Sequence, residues 1–397
     1  MPDKRTIRDV DVAGKRVFVR VDFNVPLQYG RITDDTRIRA AVPTIRYLLD
    51  RGSAVILASH LGRPKGKVRE ELRLAPAAQR LGELLGVPVK VAPDSVGTEV
   101  EAMASQLRPG EVLMLENLRF HPEEEKNSAE FSRRLASLAD LYVDDAFGSA
   151  HRAHASTEGI THYLPAVAGL LMESELRALG GVFQKPEHPV VAIIGGAKIS
   201  SKIGVLSHLL DVADDFLIGG GMANTLLKSR GVDVGYSLVE DDKLGEAQSF
   251  LEAAKSAGRR VHLPEDVVVV PDLSDESSRR TVPVRDVPPG WKIVDIGPST
   301  AGTFARVISG AGTVVWNGPM GIFEVSPYAE GTRAIARDVA ASRATTIVGG
   351  GDSVAAVEQA GLANQMTHIS TGGGASLEFL EGRVLPGVAA LQDAAGG

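Results

Sequence analysis

One arrangement recurs along this chain and limits what it can fold into: a short apolar, β-branched run, a turn rich in glycine or arginine, then a helical pattern. Its fullest instance is Val191 to Lys202, VAIIGGAKISSK, near the middle of the sequence. The spacing predicts a buried strand that empties into a tight turn and a helix N-terminus, with Lys198 and Lys202 at the junction. Free backbone N–H groups and flexible lysine point charges suit phosphate. Strand-to-arginine junctions precede this stretch and strand-to-glycine junctions follow it. Strands alternating with helices in this way predict parallel sheets, whose ligands bind at the C-terminal ends of the strands.

At 397 residues the chain exceeds a single core, and two domains are expected. The boundary is expected between Pro165 and Pro189. The chain then divides into 1–170, 171–380 with an interdomain helix, and a segment 381–397 returning to the first domain. The expected fold is α/β: two Rossmann-like domains, each a parallel β-sheet flanked by helices, joined by a hinge. With 44% hydrophobic and 23% charged residues the composition is that of a globular protein. A net charge of −7 disfavours a broad nucleic-acid surface. The lack of cysteine removes disulfides and thiolate metal sites and fits a reducing cytoplasm. No membrane span is expected.

In the first half, strands are expected at Lys15–Val21, Ala54–Ala58, Glu111–Leu115 and Leu141–Val143. Helices are expected at Thr36–Arg51, Leu74–Leu85, Glu99–Leu107 and Ser128–Ala139, the last capped by Ser128. Ala166–Leu179 reads as a helix that GGVFQKPEHP then breaks. In the second half, strands are expected at Phe216–Ile218, Val267–Val270, Ile293–Ile296, Val314–Trp316 and Thr345–Val348. Helices are expected at Lys202–Val212 and Asp241–Ala257, and a hairpin within Asp272–Pro289. Ser326 and Pro327 read as N-cap and first residue of a helix toward Val339. Leu385–Leu391 reads as a C-terminal clasp, and the final AAGG is expected to fray.

Three glycine clusters, Gly195–Ser201, Gly349–Ser353 and Thr371–Ser376, are anion-site candidates, though each also satisfies ordinary turn geometry. None matches the GxxxxGK[ST] loop or completes a dinucleotide fingerprint. Asp352 suits Mg²⁺, since hard carboxylate oxygens and nucleotide phosphates share such an ion; it equally suits a helix dipole. Glu324 can accept bonds from ribose hydroxyls or stand as a solvated carboxylate. Arg37, Arg63, Arg119 and Arg152, with His60, follow successive strands. Singly each reads as a surface side chain; together they read as a pocket for a small polyanion. Asp22 and Asn24 can orient substrate hydroxyls. His151 and His154 lack a closing ligand set for zinc and read as core or supporting residues.

The motifs RVDFNVP (20–26), SHLGRP (59–64), NLRFHPEEEKN (117–127) and DDAFGSAHRAHAS (144–156) stand in the first half. GGAKISSK (195–202), GGGMANTLL (219–227), NGPMGIFE (317–324), GGGDS (349–353) and STGGGASLEFLEG (370–382) follow. In this order the series resembles the phosphoglycerate kinases along essentially the whole chain. The resemblance implies reversible phosphoryl transfer from 1,3-bisphosphoglycerate to ADP, giving 3-phosphoglycerate and ATP, by a cytoplasmic, usually monomeric, hinge-closing glycolytic enzyme. It implies Asp22, Asn24, Arg37, His60, Arg63, Arg119 and Arg152 for the acidic substrate. For the nucleotide it implies Lys198, Lys202, Gly220, Ile293, Asn317, Glu324 and Gly350 to Ser353, with Gly373 and Gly374 near phosphate and Asp352 near Mg²⁺. Lys198 and Arg37 match the groups that engage the transferring phosphoryl. Two positions depart from the family pattern: Ser201 where many relatives have Asp, and Ile293 where many carry glycine.

The implied chemistry is in-line attack by a β-phosphate oxygen of ADP on the acyl phosphate. A carboxylate leaves, so neither a general acid nor a general base is needed. Catalysis then rests on positioning and charge cancellation. A nicotinamide dehydrogenase would explain the glycine turns but not the arginine set. A binding protein of the same fold would need no catalytic pairing of the two half-sites.

Overall fold

The computed structural model describes residues 3–394; Ala395 to Gly397, most of the tail expected to fray, lie outside it. The chain divides into two compact units. Unit 1 runs to Arg177 and includes the segment from Val384; unit 2 is Ala178–Arg383. The division falls inside a helix, Leu170–Gln184. Among the described residues, no helix is long and apolar enough to cross a membrane.

Unit 1 holds a six-stranded parallel sheet. Its strands are β1 (Arg16–Arg20), β2 (Ala54–Ala58), β3 (Val89–Val91), β4 (Val112–Met114), β5 (Leu141–Asp144) and β6 (Ala166–Ala168), in spatial order β3-β4-β2-β1-β5-β6. The strands at its centre are apolar on both faces because helices cover both faces. Helix α1 (Thr36–Asp50) turns Ile38, Ala41, Ile45 and Leu48 inward at helical spacing, and α2 (Ala75–Leu85) adds Leu81 and Leu85. Each such large side chain contributes about 1.5–3 kcal/mol on burial. The sheet's order reverses beside β1, so the residues after β1 occupy a switch point. Registers Arg20↔Ala58 and Arg20↔Asp144 release three loops at one level. After Val384 the chain lies on this unit: Gly387 N donates to Ala150 O and Gln392 N to Ala166 O.

Unit 2 holds a second parallel sheet: β7 (Val190–Ile194), β8 (Asp215–Ile218), β9 (Arg260–His262), β13 (Thr313–Asn317), β14 (Thr345–Gly349) and β15 (His368–Ile369). The order is β9-β8-β7-β13-β14-β15. Its reversal falls between β7 and β13, whose last partners are Ile194 and Asn317. A separate antiparallel sheet joins β11 (Arg280–Pro283), β10 (Asp266–Val270) and β12 (Lys292–Ile296), in that order. Counting on from α2, the helices longer than one turn are α3 (Thr98–Ser105), α4 (Ala129–Ala136) and α5 (Leu170–Gln184), then α6 (Ile203–Leu209), α7 (Gly220–Ser229), α8 (Leu244–Ser256), α9 (Pro298–Ser309), α10 (Glu330–Ala341), α11 (Gly351–Gln359) and α12 (Gly374–Leu380).

Several local expectations change. Ala166–Ala168 is strand, paired parallel with Tyr142–Asp144, and the helix begins only at Leu170. Three small apolar residues carry no period that separates helix from strand. Gly180 and Gly181 do not break that helix, which runs on to Gln184; context overrides their low propensity. Ser128 stands at the N-cap of the helix Ala129–Ala136 but its side chain makes no cap bond. Ser326 and Pro327 form a separate 3₁₀ turn, Ser326–Tyr328, and α10 starts at Glu330. Val267–Val270 and Ile293–Ile296 are strands, but of the antiparallel sheet, with the hairpin strand β11 beside β10.

Candidate active site

In unit 1 the pocket is built at the C-terminal ends of β1, β2, β4 and β5. Asp22 follows β1 and accepts from Arg37 Nη1 at 2.8 Å, which holds the guanidinium at the start of α1. Asn24 N donates to Asp22 Oδ1 at 3.1 Å, and Asn24 Oδ1 accepts from Gly62 N at 2.9 Å. Gly62 O accepts from Arg119 Nη1 at 3.2 Å. One residue, Gly62, in left-handed conformation at φ 62°, thus ties two predicted residues together, and a Cβ there would lie 2.8 Å from Leu72 Cδ2. Only glycine serves at such a point.

His60 is buried, and its Nδ1 lies 3.1 Å from Arg20 Nη2. Burial, and then the charges of Arg20, Arg119 and Arg37, hold its pKa well below the ordinary histidine value. Arg119 is 6% exposed, and its pKa is brought down to about 10 by burial and by Arg20. Its buried Nε has no hydrogen-bond partner among the described residues and faces Glu125 Oε1 only at 3.6 Å. Arg152 is exposed, its Nε 3.2 Å from His151 Nε2, and its charge is felt by Arg119 and His154. Arg63 is exposed and forms no ion pair among the described residues. The structure therefore links Arg37, Asp22, Asn24 and Arg119 through Gly62, sets His60 in the field of Arg37 and Arg119, and leaves Arg63 exposed.

Beneath them lies a layer that sequence reasoning missed. Arg20 is fully buried at the end of β1 and donates to Ser156 Oγ at 2.9 Å and to Val21 O. Ser156 Oγ donates to Glu124 Oε1 at 2.6 Å, and Glu124 is also fully buried. Burial raises the pKa of Glu124 against the pull of Arg20. His154, beside Glu124 at 3.9 Å, is driven down to about 3 by burial and the arginines. The signal was present in RVFVR, where a strand that is otherwise apolar inside ends on a charge.

In unit 2 the loops after β7, β13 and β14 meet at the switch point. A cavity of about 330 Å³ is lined by Lys198, Lys202, Asn317, Gly350, Gly351 and Asp352, with the glycines after β7 and β13. Gly318, at φ 103°, packs its backbone on Gly195 so closely that any side chain would meet the Gly195 carbonyl. Lys202 Nζ donates to Asn317 Oδ1. Burial brings the Lys202 pKa down to about 8, with Asp352 and Glu381 opposing. Because the lysine is donor-only, the other amide atom of Asn317 is its N–H₂. That Nδ2 is buried without a partner among the described residues and lies beside Gly350. Ser353 sits below, accepting from Gly318 N at 2.6 Å. Lys198 and Asp352 are exposed, Asp352 in the first turn of α11.

A second cavity of about 280 Å³ shares Gly196, Ala197, Pro319 and Asp352 with the first and holds Gly220, Ile293 and Glu324. Leu238, Met320 and Val294, which the sequence did not single out, give it apolar walls. A bulge in β12 opposite Val268 and Val269 lets both Ile293 and Val294 reach it. Gly373 and Gly374 line neither cavity; they open α12, where Ser370 and Ser376 Oγ lie 2.5 Å apart. A polar cradle continuous with an apolar slot suits a molecule with phosphates at one end and a flat apolar group at the other.

A family model described as phosphoglycerate kinase matches residues 7–383. The chain is 61% identical over 393 residues to the phosphoglycerate kinase of Roseiflexus sp. (strain RS-1), covering 98% of this chain and all of that one. It is 60% identical over 390 residues to that of Moorella thermoacetica, covering 98% and 99%. Among solved structures, phosphoglycerate kinase from Coxiella burnetii is similar at a TM-score of 0.89, with 42% identity and 98% of each chain covered. The Pyrococcus horikoshii OT3 enzyme is similar at a TM-score of 0.84 with 33% identity, also covering 98% of each. On this identity, coverage and fold, the chain belongs to the phosphoglycerate kinase family.

Proposed function

We propose that the two half-sites divide the family reaction between them: unit 1 holds 3-phosphoglycerate or 1,3-bisphosphoglycerate, and unit 2 holds the nucleotide. The reaction is reversible phosphoryl transfer between 1,3-bisphosphoglycerate and ADP, giving 3-phosphoglycerate and ATP. The observation that carries the assignment is a pair of buried donors without hydrogen-bond partners among the described residues, Arg119 Nε in unit 1 and Asn317 Nδ2 in unit 2. A buried donor left unpaired costs about 1–3 kcal/mol, and an anion removes that cost.

In this reading Arg37, Arg63, Arg119 and Arg152 take the phosphate and carboxylate of the metabolite. Asp22, Asn24 and His60 orient its hydroxyl and its carboxyl end. Lys202, Asn317 and the Gly350 to Ser353 loop hold the nucleotide phosphates, Glu324 the ribose, and Gly220 and Ile293 the base. Asp352, a hard carboxylate open to both cavities, would hold Mg²⁺, which cancels charge on the phosphates when bound. Lys198 and Arg37 meet the oxygens of the transferring group. No proton transfer is required, since the nucleophile is a phosphate oxygen and the leaving group a carboxylate. Gly373 and Gly374 would reach phosphate only through the peptide N–H groups at the start of α12.

A coupled assay that consumes 3-phosphoglycerate and Mg·ATP tests the reading. The expected result is turnover that requires both substrates and is abolished by chelating the metal. Folded protein with no turnover would overturn it.

A further inference from the structure

One buried polar side chain in the apolar slot of unit 2 takes no part in holding phosphate, ribose or metal. Asn224 stands one turn into α7, on the same face as Gly220, and both line the slot of about 280 Å³. Gly220 packs its backbone on Gly196, which the slot shares with the phosphate cradle. Four residues advance a helix by about 6 Å, so Asn224 lies further from the phosphate end than Gly220 does. Glu324 and Asp352 are exposed carboxylates at the mouth, whereas Asn224 is only 3% exposed. Its neighbour across the slot wall fixes the amide: Asn224 Nδ2 donates to Leu238 O at 3.2 Å. A carbonyl only accepts, so the atom beside it is the N–H₂ and the atom left over is Oδ1. Asn224 Oδ1 has no hydrogen-bond partner among the described residues.

The rest of the lining decides what such an acceptor can recognise. Asp295, the other buried polar residue there, spends its oxygens on Gly331 N at 2.7 Å and Ile296 N at 2.9 Å. Among the described residues that line the slot, Asn224 alone carries a side-chain N–H group, and that group is committed to Leu238. The buried end therefore offers one free acceptor and no free side-chain donor, between apolar walls of Leu238, Ile293, Val294 and Met320. A purine with an amino group at position 6 donates to that oxygen. A 6-oxopurine sets acceptor against acceptor, and its oxygen finds no side-chain donor to replace the water it lost. Resting on the nucleotide reading of this groove, we propose that Asn224 is a specificity-determining residue: its Oδ1 accepts from the exocyclic amine of adenine and so selects adenine over 6-oxopurine nucleotides.

Titration calorimetry of the full chain with four nucleoside diphosphates tests this: ADP, IDP, GDP and the diphosphate of purine riboside, which has hydrogen in place of the amine. The wild type is expected to bind ADP about tenfold more tightly than the purine riboside analogue, the loss of one buried hydrogen bond, and to bind IDP more weakly still. Asn224→Leu, close in size but without the amide, is expected to weaken ADP about tenfold and to bring all four ligands within about threefold of one another. The ratio between ligands is read within one protein, so a lowered melting temperature in N224L does not imitate the effect. Should N224L fail to fold, the wild-type order of ADP over the analogue over IDP still decides. Equal binding of ADP and IDP by the wild type, or a wild-type ratio kept in N224L, overturns the proposal. GDP binding as tightly as ADP overturns it too, since the acceptor would then be reading the 2-amino group. A wild type that binds none of the four removes the nucleotide reading of the groove itself, and the proposal with it.

Discussion

Arg20 Nη2 lies 3.1 Å from His60 Nδ1, and both side chains are buried. A guanidinium only donates, so Nδ1 must accept, and the single proton of the neutral ring belongs on Nε2. Burial and three neighbouring arginine charges keep the ring neutral. His60 is thereby fixed as a hydrogen-bond donor at Nε2. Two-bond ¹H–¹⁵N NMR of the free protein is expected to show the Nε2–H tautomer with no titration between about pH 5.5 and 8. Replacing Arg20 by Met is expected to release that lock. It also strips the buried Glu124 of its route to positive charge through Ser156, costing about 3–5 kcal/mol of stability. A ring that titrates near its ordinary value would contradict this account.

Lys202 makes nucleotide binding depend on pH. Its pKa near 8 means that the free protein carries a partly neutral lysine just above that pH. Phosphate bound beside it favours the charged form, so ADP binding near pH 8.5 is expected to take up a fraction of a proton. Calorimetry in two buffers of different ionisation enthalpy measures that uptake directly. Lys202→Arg, charged throughout, is expected to abolish it. For stability the sign is opposite to that of an ion pair. The unfolded lysine binds its proton more tightly, so this residue's burial cost is present below pH 8 and fades toward pH 10.5.

The predicted strands at Ala54–Ala58 and Val314–Trp316 match observed ones closely because each is a dense apolar run between turn residues, buried on both faces. The pocket residues after β1 and β2 were legible for the same reason: they are polar residues placed where such runs end. Arg20 escaped because alternation along RVFVR assigns a charge at a strand end to solvent, whereas here it points under the pocket. The walls around Ile293 escaped for a different reason. They come from Leu238, Val294 and Met320, apolar residues that look like any core until antiparallel β12 and its bulge carry them to the groove. Long-range pairing of that kind leaves no local period.

Asp144 and Asp145 sit adjacent and fully buried at the end of β5, and each keeps one oxygen, Oδ2, without a partner among the described residues. Burial pushes Asp144 up to about 7. The folded state therefore binds a proton more tightly than the unfolded chain between about pH 4 and 7. This group's contribution to stability falls as pH rises through that window, by at most about 1.4 kcal/mol per pH unit. Asp144→Asn can still accept from Ala146 N and carries no charge to bury. The difference in denaturant stability, variant minus wild type, is expected to grow from pH 5 to pH 8. A difference independent of pH would show that Asp144 is not protonated in the fold.

Capture and transfer separate at Arg63 and Lys198. Lys198 is exposed at the lip of the phosphate cradle, and Lys202 below it already pairs with Asn317. On the proposed reading, removing Lys198 leaves the cradle for the nucleotide but deletes a cation for the moving phosphoryl oxygens. Lys198→Ala is expected to lower kcat about 10²–10³-fold, as loss of one preorganised transition-state partner does, with ADP affinity within a factor of a few of wild type. Arg63 forms no ion pair among the described residues, so Arg63→Ala is expected to leave the fold intact and to raise KM for 3-phosphoglycerate about tenfold with kcat nearly unchanged. Steady-state kinetics with both substrates varied, alongside ADP binding by calorimetry, tell the two apart. If K198A turned over at the wild-type rate, the transferring oxygens would have to be met by Arg37, Mg²⁺ and the loop amides alone, and Lys198 would lose its assigned role.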